Sequence, residues 1–430
     1  MKAGYLCLGL TMSLVVAPCR ADLYTALRGV YDNNPVIGQG RAAVGAAQED
    51  VSLASAPAKP YLGLSGNAGV ARTKLLGETF DYVPTQFGVE FQQNLFQGFS
   101  TMAQIKAAKG VLASQQAALY ATQQDVFLSA INAYVNVLNT TEVLKLTKNN
   151  QRVLKEYYDY CVDLQNVGKL TKTDVAQASA RLEMAKYAVA DAQAKYDNSI
   201  ETFRRIYGAD NENFTEINLD RMKGLFPSSV SAAEEYALTN HPVLLALAAQ
   251  EKAAKENITV ARKTMLPSVD VRAAAMQVDD LPYVDRVRDG RIGVYVKVPL
   301  YDRGAAFAGT DKVRFTVAGI QEQIIDARRT IVENLHSAWN MYDAQALAIS
   351  AAESGIKANK MALDGTRAEQ KNGRRTVLDV LNAEQELLNT QVSLSQAKYA
   401  RVSAYFSILS ATGVLSAENL GLDTVKAKDK

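Results

Sequence analysis

The 430-residue sequence predicts a mainly α-helical protein with β-strands of membrane length, built as two copies of one helix–strand–strand–long-helix unit. Three observations lead there. Landmark residues recur at a nearly fixed offset, four short segments alternate apolar and polar side chains, and two stretches of nearly seventy residues lack proline.

The duplication is the strongest of the three. Asn34-Pro35 recurs as His241-Pro242 and Pro60 as Pro267, both 207 residues apart. Leu95-Phe96 recurs as Leu300-Tyr301, Ala133-Tyr134 as Ala338-Trp339 and Gly168 as Gly373. Asp174-Val175 recurs as Asp379-Val380, and Tyr207-Gly208 as Thr412-Gly413, all 205 residues apart. A constant offset over such a span means two halves of one fold, 22–208 and 230–413, joined by a linker at 209–229. The period is too long for a solenoid repeat. The last residues, 414–430, are expected to form a disordered tail.

Each half opens with a helix; Val36 to Ala56 is the first, stopped by Pro60. Strands are expected at about 61–72, 86–95, 268–278 and 290–298. Phe87, Val89 and Phe91 alternate with Gly88, Glu90 and Gln92. Ile292, Val294, Val296 and Val298 alternate with Arg291, Gly293, Tyr295 and Lys297. Such lengths match the roughly 9–11 residues of a tilted membrane strand. The stretches between them, Thr73 to Thr85 and Asp279 to Asp289, read as polar loops.

Helices are expected over 99–166, 171–206, 305–372 and 376–411. From Phe99 to Asn166 there is one glycine, Gly110. Val126, Ala130, Ala133 and Val137 form one apolar stripe, and Phe127, Ile131, Tyr134 and Leu138 form another beside it, so this helix packs on two sides. Gly168 and Gly373 are natural left-handed helix stops.

Composition narrows function by exclusion. Lys plus Arg is 47 and Asp plus Glu is 45; without the first 21 residues the balance is 45 against 45. That neutrality argues against a nucleic-acid binder. Two histidines and three cysteines are poor material for a metal or thiol enzyme, and no catalytic constellation stands out. No cofactor is expected. Gly38-Gln39-Gly40 lacks the spacing and preceding strand of a dinucleotide site. Asp279, Asp280, Asp285 and Asp289 are interleaved with Arg286, Arg288 and Arg291, which suits a solvated loop better than a calcium site. Met1-Lys2, an apolar run to Ala17 and Cys19-Arg20-Ala21 read as a secretory signal, residues 1–21, cleaved before Asp22. Pro18 before Cys19 argues against lipidation. Cys161 is then the one thiol of the mature chain.

Four strands cannot stand alone in lipid, where each unpaired backbone group costs several kcal/mol, and a closed barrel needs about eight. A membrane barrel would therefore be shared between copies of the chain. The competing reading is a soluble periplasmic coiled-coil adaptor or scaffold; it accounts for the helices but not for four membrane-length strands in an exported chain. An unrecognised periplasmic enzyme is a third reading, disfavoured by the composition.

Several segments carry a resemblance. They are Asp22-Leu23-Tyr24-Thr25-Ala26-Leu27 with Asn33-Asn34-Pro35, Gln93-Asn94-Leu95-Phe96-Gln97-Gly98, and Ala133-Tyr134-Val135-Asn136-Val137-Leu138. Asn166-Val167-Gly168 through Thr173-Asp174-Val175 and Asn372-Gly373-Arg374-Arg375-Thr376-Val377-Leu378-Asp379-Val380-Leu381 complete the set. In this order, and with the duplication, the chain resembles the TolC family of bacterial outer-membrane efflux and secretion proteins over essentially its whole mature length.

The resemblance implies a homotrimer: a 12-stranded outer-membrane barrel continuing into a 12-helix periplasmic tunnel. It implies a periplasmic adaptor and an inner-membrane pump, of ABC or RND type, as partners. It also implies a gate at the periplasmic end, with Arg375 pairing with Asp174 and Thr173. Gln370 stands where the family has a gate tyrosine. Asp379 would form an acidic ring at the constriction, with Asn382 at the family's second acidic position. Asp379 and Asn382 are i and i+3 and share a helix face. On the residues alone, Arg375 and Asp174 could equally be solvated charges at helix starts. The cargo is not legible.

Overall fold

The computed structural model describes residues 23–208 and 214–422. The signal segment, with Cys7 and Cys19, lies outside the described residues, as does 423–430.

Helices α1 (Leu23–Asn33) and α2 (Pro35–Ser55) open the chain. Asn34 separates them: it caps α2, and Pro35 supplies the first helical position, where no N–H is required. Strands β1 (Tyr61–Ala68), β2 (Ala71–Leu75), β3 (Glu78–Tyr82) and β4 (Thr85–Gln97) follow, then α3 (Ser100–Asn166) and α4 (Lys172–Tyr207). The second half repeats this with α5 (Val230–Asn240), α6 (Pro242–Ala261), β5 (Ser268–Leu281), β6 (Val284–Lys297), α7 (Ala305–Lys371) and α8 (Val377–Ala411). Helices α3 and α7 each have 67 residues, about 100 Å at 1.5 Å per residue.

Two expected loops are strand instead. The segment read as one strand over 61–72 divides into β1 and β2. The polar stretch after it holds β3, which pairs with β2 as a separate hairpin, tied by Arg72 to Asp81. The stretch from Asp279 to Asp289 continues β5 and β6 up to a two-residue connection at Pro282-Tyr283. Charged side chains there hid strands that project beyond the apolar band.

The main sheet of the described residues runs β1-β4-β5-β6, antiparallel throughout. Its register sets Leu62, Phe91, Ala273 and Ile292 in one row, and Leu64, Val89, Ala275 and Gly290 in the next. The opposite face carries Gly63, Glu90, Ala274 and Arg291, then Tyr61, Gln92, Arg272 and Gly293. Apolar side chains on the first face are open to solvent: Leu62, Leu64, Ile292 and Val294 are 65–80% exposed. On β6 the band starts at Gly290 and is continued by Val298 just past the strand's end, about 27 Å in all. Both outer edges, β1 and β6, lack a partner strand among the described residues.

The largest core sits mid-way down the helices, where α1, α3, α4 and α8 meet. Phe127, Ile131 and Tyr134 of α3 are fully buried there, as the second apolar stripe requires. The segments expected to be linker and tail contribute to it. Phe214, Ile217 and Met222 pack in from the inter-repeat stretch, and Asp220–Leu225 is a 3-10 turn. Leu415, Ala417, Leu420 and Leu422 are buried in the same core, so 414–422 is packed rather than trailing. Apolar residues at that spacing gain more by burial than the short segment loses in freedom.

The Tyr134 hydroxyl donates to the Thr215 carbonyl at 2.9 Å and accepts from the Thr215 N–H at 2.9 Å. Tyr134→Phe strands both backbone groups and is expected to destabilise the fold by about 1–3 kcal/mol, seen as a lower urea midpoint for the detergent-solubilised protein.

Candidate functional site at the helical tips

Each half ends away from the sheet in a tight turn between two long helices. In the first, Gly168 takes φ +73°; its N–H reaches the Gln165 carbonyl and the Lys169 N–H reaches Leu164, both at 2.9 Å. In the second, Gly373 takes φ +67°, with its N–H on Gln370 and the Arg374 N–H on Glu369, both at 2.9 Å. These are the same glycine-terminated helix ends, satisfying the same orphan carbonyls.

The return helices start on matching capping boxes. Thr171 Oγ1 accepts from the Asp174 N–H, while Asp174 Oδ2 takes the Thr171 N–H at 3.0 Å and the Thr171 hydroxyl at 2.7 Å. Thr376 and Asp379 repeat this at 2.9 and 2.8 Å. Those bonds hold the Asp379 carboxyl below its ordinary pKa, the Thr376 backbone N–H contributing most.

Within one chain the expected gate pair does not form. Arg375 Nε donates to Glu369 Oε2 at 2.9 Å, with both side chains about half exposed. Thr173 is exposed and Asp174 is occupied by its own cap. Gln370 is buried at 8% exposure, packed into the helix pair rather than presented to solvent. Asn382 Oδ1 accepts from Arg181 of α4 at 2.8 Å, so it ties the two halves together. In the single chain Asp174 keeps its cap on α4 through Oδ2, while Arg375 is taken by Glu369.

Sequence reasoning missed the contact that unites the tips. Val377 and Leu381 of α8, each 1% exposed, pack with Leu154 and Cys161 of α3 and Ala178, Leu182 and Ala185 of α4. Burial pushes the Cys161 thiol up to about 11. Above this seat Arg367 of α7 pairs with Glu384 of α8, whose carboxyl is raised by burial against the opposing pull of that arginine. The signal was available: Val377, Val380, Leu381, Glu384 and Leu388 are all buried, at spacings of 3, 1, 3 and 4. The Thr-x-x-Asp spacing likewise announced both caps.

The tips carry charged groups and an apolar cluster at the end of a long helical layer, and no group of three or more potential metal-ligating residues stands among the described residues. No helix among them is long and apolar enough to cross a membrane; the membrane-length elements are the strands. The model of the outer membrane efflux protein family matches residues 27–209 and 235–414, one match per half. The chain belongs to the outer membrane efflux protein family.

Membership of the outer membrane efflux protein family agrees with comparisons along the whole chain. The outer membrane efflux protein BepC of Brucella suis is 30% identical over 94% of this chain and 88% of its own length. The outer membrane protein TolC of Escherichia coli is 25% identical over 90% of this chain and 81% of its own. The fold matches the crystal structure of the Campylobacter jejuni CmeC outer membrane channel with a TM-score of 0.82 at 16% identity, covering 92% and 86% of the two chains. As an outer membrane efflux protein, the chain is an outer-membrane exit duct with a periplasmic extension, and belongs to a family of transport channels rather than enzymes. The exposed apolar rows on its sheet are its lipid face.

Proposed function

We propose that three copies of the chain form one passive duct: a 12-stranded barrel in the outer membrane, opening into a 12-helix tunnel in the periplasm. The observation that carries this is the open edge on each side of the membrane sheet, β1 and β6, which only another copy can seal without stranding backbone groups in lipid. The protein itself runs no chemistry. An inner-membrane pump, of ABC or RND type, supplies energy, and a periplasmic adaptor engages the tips, in a tripartite efflux or type I secretion system.

The tips are the gate in this reading. Both bonds of the Asp174 cap go to Oδ2, which leaves Oδ1 outside the cap. Arg375 of one subunit reaches that oxygen and Thr173 across the interface, exchanging its Glu369 partner for them. Three such exposed links, added to three apolar latches, hold the tunnel shut until the adaptor docks. Asp379 supplies one carboxylate per subunit to a ring at the constriction; Gln370 and Asn382 leave the gate without a tyrosine and the ring without its second acid.

Two outcomes follow. Arg375→Ala raises single-channel conductance in planar bilayers, by less than loss of the apolar latch does; unchanged conductance would remove the charged lock. Asp379→Asn relieves block by multivalent cations added from the periplasmic side. Deleting the gene, then measuring drug susceptibility and the secreted-protein profile together, tests the duct and assigns its cargo class. A deletion strain normal in both would count against it.

A further inference from the structure

The two halves close the same joint with different side chains. In the first half, the end of α4 abuts the start of α2. Asn34 Oδ1 accepts from the Val36 N–H at 2.9 Å, and its Nδ2 donates to the Ile206 carbonyl of α4 at 3.1 Å. One amide thus caps one helix and terminates the other. In the second half, α8 ends against the start of α6, and His241 occupies the place of Asn34. Its Nδ1 accepts from the Val243 N–H at 3.3 Å, and Ser410 and Ala411 at the end of α8 lie with it in one groove. The approach is close: a Cβ on Gly413, at φ +82°, would lie 3.2 Å from His241 Cα and from Pro242 Cδ.

An imidazole can accept that bond at Nδ1 only when uncharged, with Nε2 carrying the proton. A second proton would go to Nδ1. It would set two donors face to face and place a cation at the positive end of α6. An asparagine in the same position is indifferent to pH. The histidine is also within reach of solvent. It lines a groove of about 890 Å³ between α3, α7 and α8, shared with Asn334, Ser403 and Ser407. Tyr405, Phe406 and Leu409, on the other face of α8, are packed into the main core.

We propose that His241 is an acid-sensitive pin on the start of α6: its protonation takes the Nδ1 acceptor away from the first turn of the helix, where that turn meets the end of α8. Asp125 of α3 is the charged residue that lines the same groove. The groove-lining residues of α7 and α8 are uncharged. Glu234 of α5 is engaged with His336 of α7 at 3.2 Å. Burial of His241 lowers its pKa. The folded chain therefore binds this proton less readily than the unfolded one. The joint contributes fully above about pH 6.5, and the contribution is lost as pH falls below that value.

Hydrogen exchange on the intact purified channel, at about pH 7.5 and about pH 5 on either side of the ordinary histidine value, tests the pin. After correction for intrinsic rates, amides 242–246 should exchange about fivefold faster at the acid pH, as for a lost helix cap. His241→Asn should abolish the acid response and His336→Gln should retain it. Equal protection at both pH values in the wild type, or an acid response that survives His241→Asn, overturns the proposal. The wild-type arm decides even where a variant fails to assemble.

Discussion

Ile292→Arg leaves no functional channel in the outer membrane, while Ser65→Arg assembles. Ile292 is 80% exposed in the middle row of the apolar face, beside Ala273, with Phe91 and Leu62 further along. An arginine near the bilayer midplane costs about 2–4 kcal/mol on a barrel's lipid face. A shared barrel repeats the charge once per copy, so three subunits pay about 6–12 kcal/mol, comparable with the whole stability of an ordinary domain. Ser65 lies on the opposite face, in register with Gly88, Met276 and Asp289, where a charge meets water. The chain already carries Arg291 on that face, one residue before Ile292. Outer-membrane fractionation with a folded-trimer assay on unheated gels reads both variants. Equal assembly of the two would mean that the faces have been assigned the wrong way round.

Leu381→Ala opens the tunnel at its tip. The side chain is 1% exposed in the cluster that joins α8 to α3 and α4, and a buried leucine cut to alanine costs about 2–5 kcal/mol. That loss falls on the packing between the halves, since the helices themselves are held by their own long interfaces. Single-channel conductance should rise well beyond the Arg375→Ala value. Cys161 provides an independent reading from the same cluster. It is 0% exposed, and its thiol is held protonated by burial, so it should resist maleimide in the closed duct. Labelling in Leu381→Ala should be faster by about tenfold or more, since each 1.4 kcal/mol is a factor of ten. Unchanged conductance together with unchanged labelling would show that the latch does not hold the tip.

The long helices are legible because their signals are local and repeated. Proline is absent from Phe99 to Asn166, a glycine stop stands at each tip, and every such feature recurs 205 residues later. The band-forming parts of β4, β5 and β6 are legible for the same reason, since their alternation continues for most of a membrane thickness. The β2–β3 hairpin is not. Arg72, Lys74, Glu78 and Asp81 give it the composition of a loop, and what makes it strand is cross-strand pairing, with Arg72 opposite Asp81. The upper ends of β5 and β6 are missed likewise: Asp279 pairs with Arg286 above the apolar band, where alternation no longer sorts polar from apolar.

At the tips, Asp174, Asp379, Arg375 and the two glycines were found by position, but their partners were not. A charge pair at long sequence separation has no period to betray it, whereas the capping boxes are fixed by a spacing of three. The local rule accounts for Asp174 and Asp379 in the single chain. The apolar latch was overlooked because attention went to charge, although Val377, Leu381 and Leu388 mark one face of α8 as plainly as any stripe in α3. The role of His241 needed both halves in view: it is the comparison with Asn34, not the histidine alone, that exposes the joint.

Native mass spectrometry of the channel, extracted gently into detergent from outer membranes, bears most directly on the shared barrel. The predicted result is a particle of three mature chains that still conducts when reconstituted. A conducting particle containing one chain would mean that the four strands of a single subunit close on themselves, and the account built on their open edges would fall.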